Sequence, residues 1–292
     1  MFTGAYTALI TPFKNGRVDE DAYRQFIEWQ LEQGINGLVP CGTTGESATL
    51  SHAEHEQVIK ICIDQVRKRV PVIAGAGSNN TAEAARLLKF AKQAGADAGL
   101  LITPYYNKPT QEGVFQHFKA IASECDLPMF VYNVPGRTGM NVTAATMIRL
   151  YKEIPSVVGA KEASADLAQI TDILEQCDDG LTLLSGDDFT VLPIMAVGGK
   201  GVISVSANLA PGKMAGLCRA WFAGDTGLAR RLNREMFPLN HACFYETNPI
   251  PVKTMLHMLG KVSPELRLPL VPPSRANRDK MLETLRQSGL LP

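Results

Sequence analysis

The sequence predicts an α/β protein whose fold is a (β/α)8 TIM barrel with an additional C-terminal helical region. Eight short apolar runs rich in valine, isoleucine and leucine recur about every 20–35 residues, and helical patterns lie between them. Continuously apolar strands joined by helices are typical of a parallel sheet covered on both faces, and eight such units favour closure into a barrel. A length of 292 residues suits one large barrel.

The expected elements alternate along the chain. The eight predicted strands span residues 5–11, 37–41, 70–75, 98–103, 128–133, 157–162, 181–186 and 201–206. Helical patterns between them include residues 21–33, 53–69, 82–94 and 165–177. Ser51 and Glu54 form a capping-box pattern that opens the second helix, and Gly34, Gly95 and Gly180 are typical helix stops.

The chain continues well beyond the eighth strand without repeating the strand–helix unit. The surplus contains helical patterns at residues 226–244, 251–259 and 277–288. We therefore predict a catalytic barrel at residues 1–224 and a C-terminal helical region at residues 225–292.

The composition favours a small-molecule partner. Lysine plus arginine and aspartate plus glutamate both number 29, so there is no basic excess to bind nucleic acid or an anionic membrane surface. No apolar run is long enough to span a bilayer, and the first residues lack the pattern of a secretory signal. The six cysteines form no Cys-x-x-Cys pair, which favours reduced thiols. We expect a cytoplasmic protein that binds neither nucleic acid nor a membrane.

Unusual residues collect where the predicted strands end. In barrels of this class the active site lies at the carboxyl ends of the strands, in the loops that follow them. The segments found there are Gly42-Thr-Thr-Gly-Glu46, Thr103-Pro-Tyr-Tyr-Asn107, Tyr132-Asn-Val-Pro-Gly-Arg-Thr-Gly139, Lys161 and Gly186-Asp-Asp188. We therefore place the candidate active site at this end of the barrel.

Lys161 lies inside the apolar run of the sixth predicted strand. The simpler interpretation is that it pairs with Glu162 or is solvated, because burying an ammonium without a partner is costly. On a strand, Val157, Gly159 and Lys161 share one face, and an inward-facing glycine would leave space for a substrate. Desolvation would lower the pKa of the lysine, and the neutral amine can attack a carbonyl carbon to form a Schiff base. Both interpretations stay open.

Three further features also have two interpretations each. Tyr132 can hydrogen-bond the backbone, or it can move protons while a carbinolamine forms and breaks down beside the lysine. The glycine-rich turn at residues 42–46 can be a simple strand-to-helix turn, or its amides and hydroxyls can bind a small carboxylate. Arg137 can be a solvated turn residue or a clamp for a substrate carboxylate.

Two residue pairs raise the question of a metal ion. Asp187 and Asp188 could hold magnesium at a barrel rim, but no histidine or glutamate nearby completes the coordination, and a helix cap is the better interpretation. His52 and His55 could share a ligand, although a partly exposed helix face is the simpler role. We predict no metal site.

The motifs Gly42-Thr-Thr-Gly-Glu46, Tyr132-Asn-Val-Pro-x-Arg-Thr-Gly139 and Gly159-Ala-Lys-Glu-Ala163 occur in this order. In this the sequence resembles the dihydrodipicolinate synthase family, one of the pyruvate-dependent class I aldolases that also include N-acetylneuraminate lyase. The resemblance extends along the whole chain, through Phe2-Thr-Gly4 and the segments at 103–113 and 201–205 to Asn248-Pro-Ile-Pro-Val-Lys253.

The resemblance implies a role for each residue of the candidate site. Lys161 would form the Schiff base with pyruvate, and Tyr132 would donate and accept protons. Thr43 and Tyr106 would complete a hydroxyl relay to it. The implied substrate-binding residues are Thr44 and Ile203 for pyruvate, Arg137 for the carboxylate of L-aspartate 4-semialdehyde, and Gly186. The product would be 4-hydroxy-tetrahydrodipicolinate, on the route to diaminopimelate and lysine, and no cofactor would be needed.

The resemblance also implies an assembly and an effector. In the family Tyr106 reaches into the active site of a neighbouring subunit, so we expect a homodimer or a dimer of dimers. An L-lysine feedback site would lie at that interface, at residues Ser47, Ala48, His52, His55, Asn79, Glu83 and Tyr105.

Two alternative functions stay open. A sister aldolase would use the same pyruvate chemistry on a sugar acid, as an N-acetylneuraminate or keto-deoxy sugar acid lyase. Thr44 and Arg137 favour the synthase, because they offer a carboxylate clamp where a sugar asks for hydroxyl-binding groups. A non-catalytic barrel that binds an amino acid would need neither Lys161 nor the relay.

Overall fold

The computed structural model describes residues 2–177 and 180–292. Its strands are β1 Gly4–Ala8, β2 Phe13–Lys14, β3 Arg17–Val18, β4 Gly37–Val39, β5 Ile73–Gly75, β6 Ala98–Ile102, β7 Met129–Asn133, β8 Val157–Glu162, β9 Thr182–Ser185 and β10 Gly201–Ser204. Its α-helices are α1 Glu20–Glu32, α2 His52–Val66, α3 Thr81–Ala94, α4 Gln111–Glu124, α5 Pro135–Thr138, α6 Ala144–Glu153, α7 Leu167–Cys177, α8 Val191–Ala196, α9 Pro211–Phe222, α10 Thr226–Ala242, α11 Ile250–Met258 and α12 Arg275–Gln287. Each of the eight predicted strand regions contains a strand.

One compact unit contains Pro71–Ile203 together with Phe2 and Thr3. Its strands β5 to β10 pair in chain order and in parallel, with helices between them. Every residue of β7 is buried, as expected for a parallel strand covered on both faces. The register of β7 and β8 places Tyr132 opposite Lys161 and Asn133 opposite Glu162. Tyr132 and Lys161, the two strand residues of greatest chemical interest, therefore lie side by side near the carboxyl ends of β7 and β8.

The second compact unit contains Gly4–Val70 and Ser204–Pro292. Its strands β1 and β4 pair in parallel, and α1 packs against α2. The side chain of Asn208 stabilises the region after β1 through hydrogen bonds. Its amide nitrogen donates to Ala8 O and Val205 O, and its Oδ1 accepts from Ile10 N. The predicted C-terminal helices are present as α10, α11 and α12, and α12 packs against both α10 and α11. The boundary at residue 224 stays a prediction.

The predicted capping box and the helix stops at Gly34 and Gly95 are confirmed, whereas the stop predicted at Gly180 concerns the end of α7, where residues 178–179 lie outside the described ranges. Ser51 and Glu54 form both hydrogen bonds of a capping box at the start of α2. Gly95 ends α3 in the left-handed conformation with φ +96°, and Gly34 follows α1 with φ +78°. A short antiparallel hairpin of β2 and β3 was not predicted, although its turn residues Asn15 and Gly16, both at positive φ, carry a typical hairpin signal.

None of the helices in the described ranges combines the length and the apolar character that crossing a membrane requires.

Candidate active site

Lys161 and Tyr132 form the centre of the candidate site in the unit that contains β5 to β10. Both side chains are buried, each with 6% of its surface exposed. The Lys161 Nζ lies 4.1 Å from the centroid of the Tyr132 ring. A cation or a polar amine is attracted to the face of such a ring, so the contact fixes the end of the lysine side chain beside the tyrosine.

Burial lowers the pKa of Lys161 from 10.5 to about 7. The negative charge of Asp188 partly opposes this effect, and the positive charge of Arg137 adds to it. The uncharged amine, which is the nucleophilic form, is therefore far more abundant near neutral pH than for an exposed lysine. The expectation of a desolvated lysine with a lowered pKa agrees with this environment.

Glu162 is not placed to pair with Lys161, because successive side chains on a strand point to opposite faces. Its buried carboxylate instead accepts from Asn133 Nδ2 at 3.0 and 3.1 Å and from Ser164 N at 2.8 Å. Burial raises the pKa of Glu162, while the Asn133 and Ser164 hydrogen bonds lower it. Asn133 also donates to Asn141 Oδ1 at 2.8 Å, so a hydrogen-bond network that is buried at Asn133 and Glu162 joins the ends of β7 and β8 to the exposed Asn141 after α5.

The glycine that makes room for Lys161 is Gly186. A Cβ at Gly186 would lie 3.1 Å from Lys161 Cγ and 2.8 Å from Ala163 Cβ. The space beside Gly159, which we had expected to hold a substrate, is filled by Phe130, whose ring would lie 2.3 Å from a Cβ at that position. The expectation for Gly159 was wrong because the sequence of one strand shows only which residues share a face. It does not show which side chain of the neighbouring strand fills the space beside a glycine on that face.

Arg137 lies on the short helix α5 and is exposed. The Thr138 hydroxyl donates to Val134 O at 3.2 Å, and Gly139 ends the helix with φ +73°. The guanidinium is close enough to Lys161 for its positive charge to help lower the pKa of the amine. An exposed guanidinium there can form paired hydrogen bonds with a carboxylate.

The aspartates after β9 have different roles. Asp187 Oδ1 accepts from Phe189 N in a local turn, and the cap position of α8 is Thr190 rather than either aspartate. Asp188 is buried and acts electrostatically on Lys161. In residues 2–177 and 180–292, no group of three histidine, cysteine, aspartate or glutamate side chains could hold a metal ion.

The glycine-rich turn belongs to the other compact unit. Thr43, Thr44 and Gly45 form a 3-10 helix, and Glu46 follows in the left-handed conformation with φ +53°. Thr43 is half-buried, and Thr44 is 2% exposed with its hydroxyl accepting from Asn248 Nδ2 at 3.0 Å. The Gly45 and Glu46 amides donate to Gly42 O and Thr43 O, so the amides of Thr43 and Thr44 are the N–H groups of this turn that suit a small anion.

Three further residues implied by the resemblance lie in the first unit. Ile203 is buried on β10. Tyr106 is 90% exposed and has a left-handed φ of +69°, unlike the buried Tyr132. Tyr105 is exposed at the surface, and its carbonyl oxygen accepts from Asn79 Nδ2.

The remaining residues of the implied effector site divide between the units. Glu83, in the first unit, is half-buried and accepts a hydrogen bond from the Ser78 hydroxyl. In the second unit His55 is buried on α2, whereas His52 and Ala48 are exposed and Ser47 is half-buried.

The eight parallel strands and the buried lysine at the end of β8 together define a class, the (β/α)8 barrels of the class I aldolase type. Residues 1–288 match the model of the Dihydrodipicolinate synthetase family, and the chain belongs to that family.

Individual relatives agree with this assignment over full length. The 4-hydroxy-tetrahydrodipicolinate synthase of Oleidesulfovibrio alaskensis is 62% identical over 290 residues, 99% of each chain. The chloride-inhibited dihydrodipicolinate synthase of Acinetobacter baumannii, solved with pyruvate, is 45% identical with a TM-score of 0.97 over 100% of both chains. The enzyme from Cyanidioschyzon merolae, solved with lysine bound, is 37% identical with a TM-score of 0.96 over 99% of both chains. These similarities confirm the predicted fold class, including the additional C-terminal helices, and the predicted family.

Sequence reasoning missed the residues that support the site. Asp188 was considered only as a metal ligand or a helix cap, and Asn248 and Lys253 were noted only as part of a motif. Lys253 is fully buried, with its Nζ 2.6 Å from Glu46 Oε1. A lysine in the apolar surroundings of Pro249-Ile-Pro-Val252 was the available signal, of the same kind that singled out Lys161.

Proposed function

We propose that this protein is a lyase that condenses pyruvate with L-aspartate 4-semialdehyde to give 4-hydroxy-tetrahydrodipicolinate. The observation that carries the proposal is the buried Lys161 amine, with a pKa near 7, against the ring of Tyr132. Full-length similarity to 4-hydroxy-tetrahydrodipicolinate synthases supports the choice of substrates. The synthase is favoured over a sugar acid lyase and over a non-catalytic amino-acid-binding barrel.

The chemistry begins with the neutral amine. The Lys161 Nζ attacks the ketone carbon of pyruvate, and the carbinolamine loses water to become a protonated imine. The imine withdraws electrons, so a proton leaves the pyruvate methyl group, and the resulting enamine attacks the aldehyde carbon of the second substrate, whose oxygen is protonated to a hydroxyl. The amino group of that substrate then displaces Lys161 from the imine carbon, which closes the six-membered ring of the product and frees the lysine amine. Each of these steps moves a proton, and the Tyr132 hydroxyl, with Thr43 and Tyr106 as its relay, donates and accepts it.

Substrate recognition follows from charge. The Thr44 hydroxyl and the amides of its turn bind the pyruvate carboxylate, with Ile203 and Gly186 shaping the space around the keto acid. Arg137 binds the carboxylate of the semialdehyde through paired hydrogen bonds. A sugar acid lyase would instead need hydroxyl-binding side chains for a long polyol.

Borohydride trapping tests the proposal. Reduction in the presence of pyruvate should add a pyruvate-derived mass to the tryptic peptide that contains Lys161, and Lys161→Ala should abolish the adduct. A coupled assay with L-aspartate 4-semialdehyde and with N-acetylneuraminate separates the two aldolases. Turnover of the sugar acid alone would overturn the choice of substrate, and no adduct in the parent would favour the non-catalytic barrel.

We also propose a homo-oligomer in which Tyr106 acts on the site of a neighbouring subunit. A tyrosine that is 90% exposed on left-handed backbone is poorly explained by the packing of its own chain, which supports a role at an interface. Sedimentation should find a dimer or a dimer of dimers at assay concentration.

L-lysine is the proposed effector, at the seven residues named for it. Support comes from the Glu83 carboxylate, which can accept a lysine ammonium, and from the lysine-bound relative. Lysine should inhibit the parent, and Glu83→Gln should weaken the inhibition whereas the exposed Glu112→Gln should not. A cytoplasmic location is proposed as well, and it is supported by the six cysteines, all of which are buried and present as thiols instead of disulfides.

A further inference from the structure

The segment that begins at Asn248 contacts the glycine-rich turn directly. Asn248 is 4% exposed, and its Nδ2 donates to Thr44 Oγ1 at 3.0 Å. Both residues belong to the same compact unit although 204 positions separate them in the chain. The mechanism proposed above gives this contact no role.

The hydrogen bond restricts what the Thr44 hydroxyl can do. A hydroxyl has one proton to donate and lone pairs that accept, and the Asn248 amide occupies an accepting position. The single proton of Thr44 is therefore left to donate elsewhere. A hydroxyl held in this way is a directed hydrogen-bond donor, which is the form that binds a carboxylate.

The same C-terminal region also fixes the far end of the turn. Glu46 Oε1 accepts from Lys253 Nζ at 2.6 Å, and Glu46 Oε2 accepts from Arg267 N at 3.0 Å. On the near side, the buried Thr11 hydroxyl donates to Gly45 O at 2.7 Å. The turn thus has little freedom to adjust if the Asn248 contact is changed.

We propose that Asn248 is a positioning residue for pyruvate, which sets the Thr44 hydroxyl as a donor to the substrate carboxylate. This inference rests on the proposed function, because it assigns Thr44 to pyruvate. Through Asn248, the C-terminal helical region contributes to the affinity for pyruvate.

Asn248→Asp is the sharpest test, because it keeps the shape of the side chain and replaces the donor with an acceptor. The carboxylate would draw the Thr44 proton toward itself, so the KM for pyruvate should rise about tenfold, the usual worth of one hydrogen bond, while kcat stays within about twofold. Asn248→Ala leaves the Thr44 hydroxyl free to rotate and should raise the KM for pyruvate by about threefold. This variant keeps the inference testable if Asn248→Asp does not fold. In a Thr44→Val background neither change should raise KM further, because the hydroxyl they act through is gone.

Asn277→Ala is the matched control. Its amide nitrogen donates to Glu246 Oε1 and to Tyr245 O in the same region but not to the turn, so its KM should equal that of the parent. An unchanged KM in both Asn248 variants, or an equal rise with and without Thr44, would overturn the inference. Borohydride trapping of the parent separates the two proposals: no adduct in the parent refutes the proposed function, whereas an adduct with parent-like Asn248 variants refutes only this inference.

Discussion

Tyr132 and Lys161 occupy paired positions on β7 and β8, and the lysine amine lies 4.1 Å from the centre of the tyrosine ring. The pairing follows from strand register, so the distance between the proposed nucleophile and the proposed proton carrier is set by backbone hydrogen bonds and not by a flexible loop. Sites on strands are held more rigidly than sites on loops, which suits a reaction with several proton transfers.

Tyr132→Phe should separate binding from turnover. The variant keeps the ring that contacts Lys161 and loses only the hydroxyl, so pyruvate should still be trapped by borohydride while kcat falls about 100-fold. Steady-state kinetics in the coupled assay measure both parameters. Turnover equal to that of the parent would contradict the relay.

Asp188→Asn should move the pH dependence of the enzyme. The negative charge of Asp188 holds the pKa of Lys161 up, so its removal lowers that pKa and leaves more neutral amine in acidic solution. The acidic limb of kcat/KM for pyruvate should shift to lower pH by about one unit. Asp187→Asn is the control, since Asp187 is not among the groups that act on Lys161, and its pH profile should match the parent's. A shift in the opposite direction would refute this electrostatic role.

Lys161→Met should stabilise the protein in mildly alkaline solution. Between pH 7 and 10.5 the unfolded lysine carries a proton that the buried lysine does not. Unfolding therefore takes up a proton, and the free energy of unfolding of the parent rises with pH across this window. The methionine variant avoids the free-energy cost of holding a deprotonated amine in the core. Its free energy of unfolding should be higher than that of the parent by ~1–3 kcal/mol near pH 8 and should depend less on pH. Urea unfolding at several pH values measures both, and a destabilised variant would show that the amine is not desolvated in the folded state.

Mixing two inactive variants should restore activity if Tyr106 acts across an interface. A dimer of one Lys161→Ala subunit and one Tyr106→Phe subunit contains one site with an intact lysine and an intact tyrosine from the partner. After the subunits exchange, an equimolar mixture should recover about a quarter of the parent activity. If each tyrosine serves its own chain, no mixed site is complete and no recovery will be seen.

Lys253→Met should cost far more stability than the loss of a surface ion pair. It leaves the buried Glu46 carboxylate without its ammonium partner, and breaking a buried pair in this way costs ~3–5 kcal/mol. Lys89→Met, which removes a pair to Glu124 whose side chains are about half exposed, should cost under about 1 kcal/mol. Chemical denaturation measures the free energy of unfolding of both variants and of the parent. Glu46→Gln added to Lys253→Met should recover part of the loss, because it removes the unpaired charge.

The predicted strands were found because each is a local apolar run, and local patterns suffice to identify a strand in a covered parallel sheet. The hairpin of β2 and β3 was missed because strands of two residues are too short to show alternation. Lys161 was singled out correctly as a lysine in an apolar run, although its energetic environment depends on Asp188 and Gly186, which belong to a different segment.

Long-range pairs could not be predicted from one sequence. Glu46 and Lys253 lie 207 positions apart, and nothing local distinguishes a glutamate that will be buried from one that will be solvated. The same holds for Phe130, whose ring fills the space that an isolated strand would leave beside Gly159. Charge compensation and packing between segments are properties of the folded chain.

The contrast between the Thr44 turn and helix α5 bears on how this scaffold could acquire new aldehyde substrates. Thr44 is enclosed by buried polar contacts, whereas Arg137 projects from a four-residue helix that is largely exposed. Evolution, or a protein engineer, can exchange Arg137, the residue proposed to bind the acceptor aldehyde, with little loss of stability. The turn proposed to bind the keto acid is by comparison hard to change, because altering it disturbs the contacts of Glu46 with Lys253 and Arg267 in the C-terminal region.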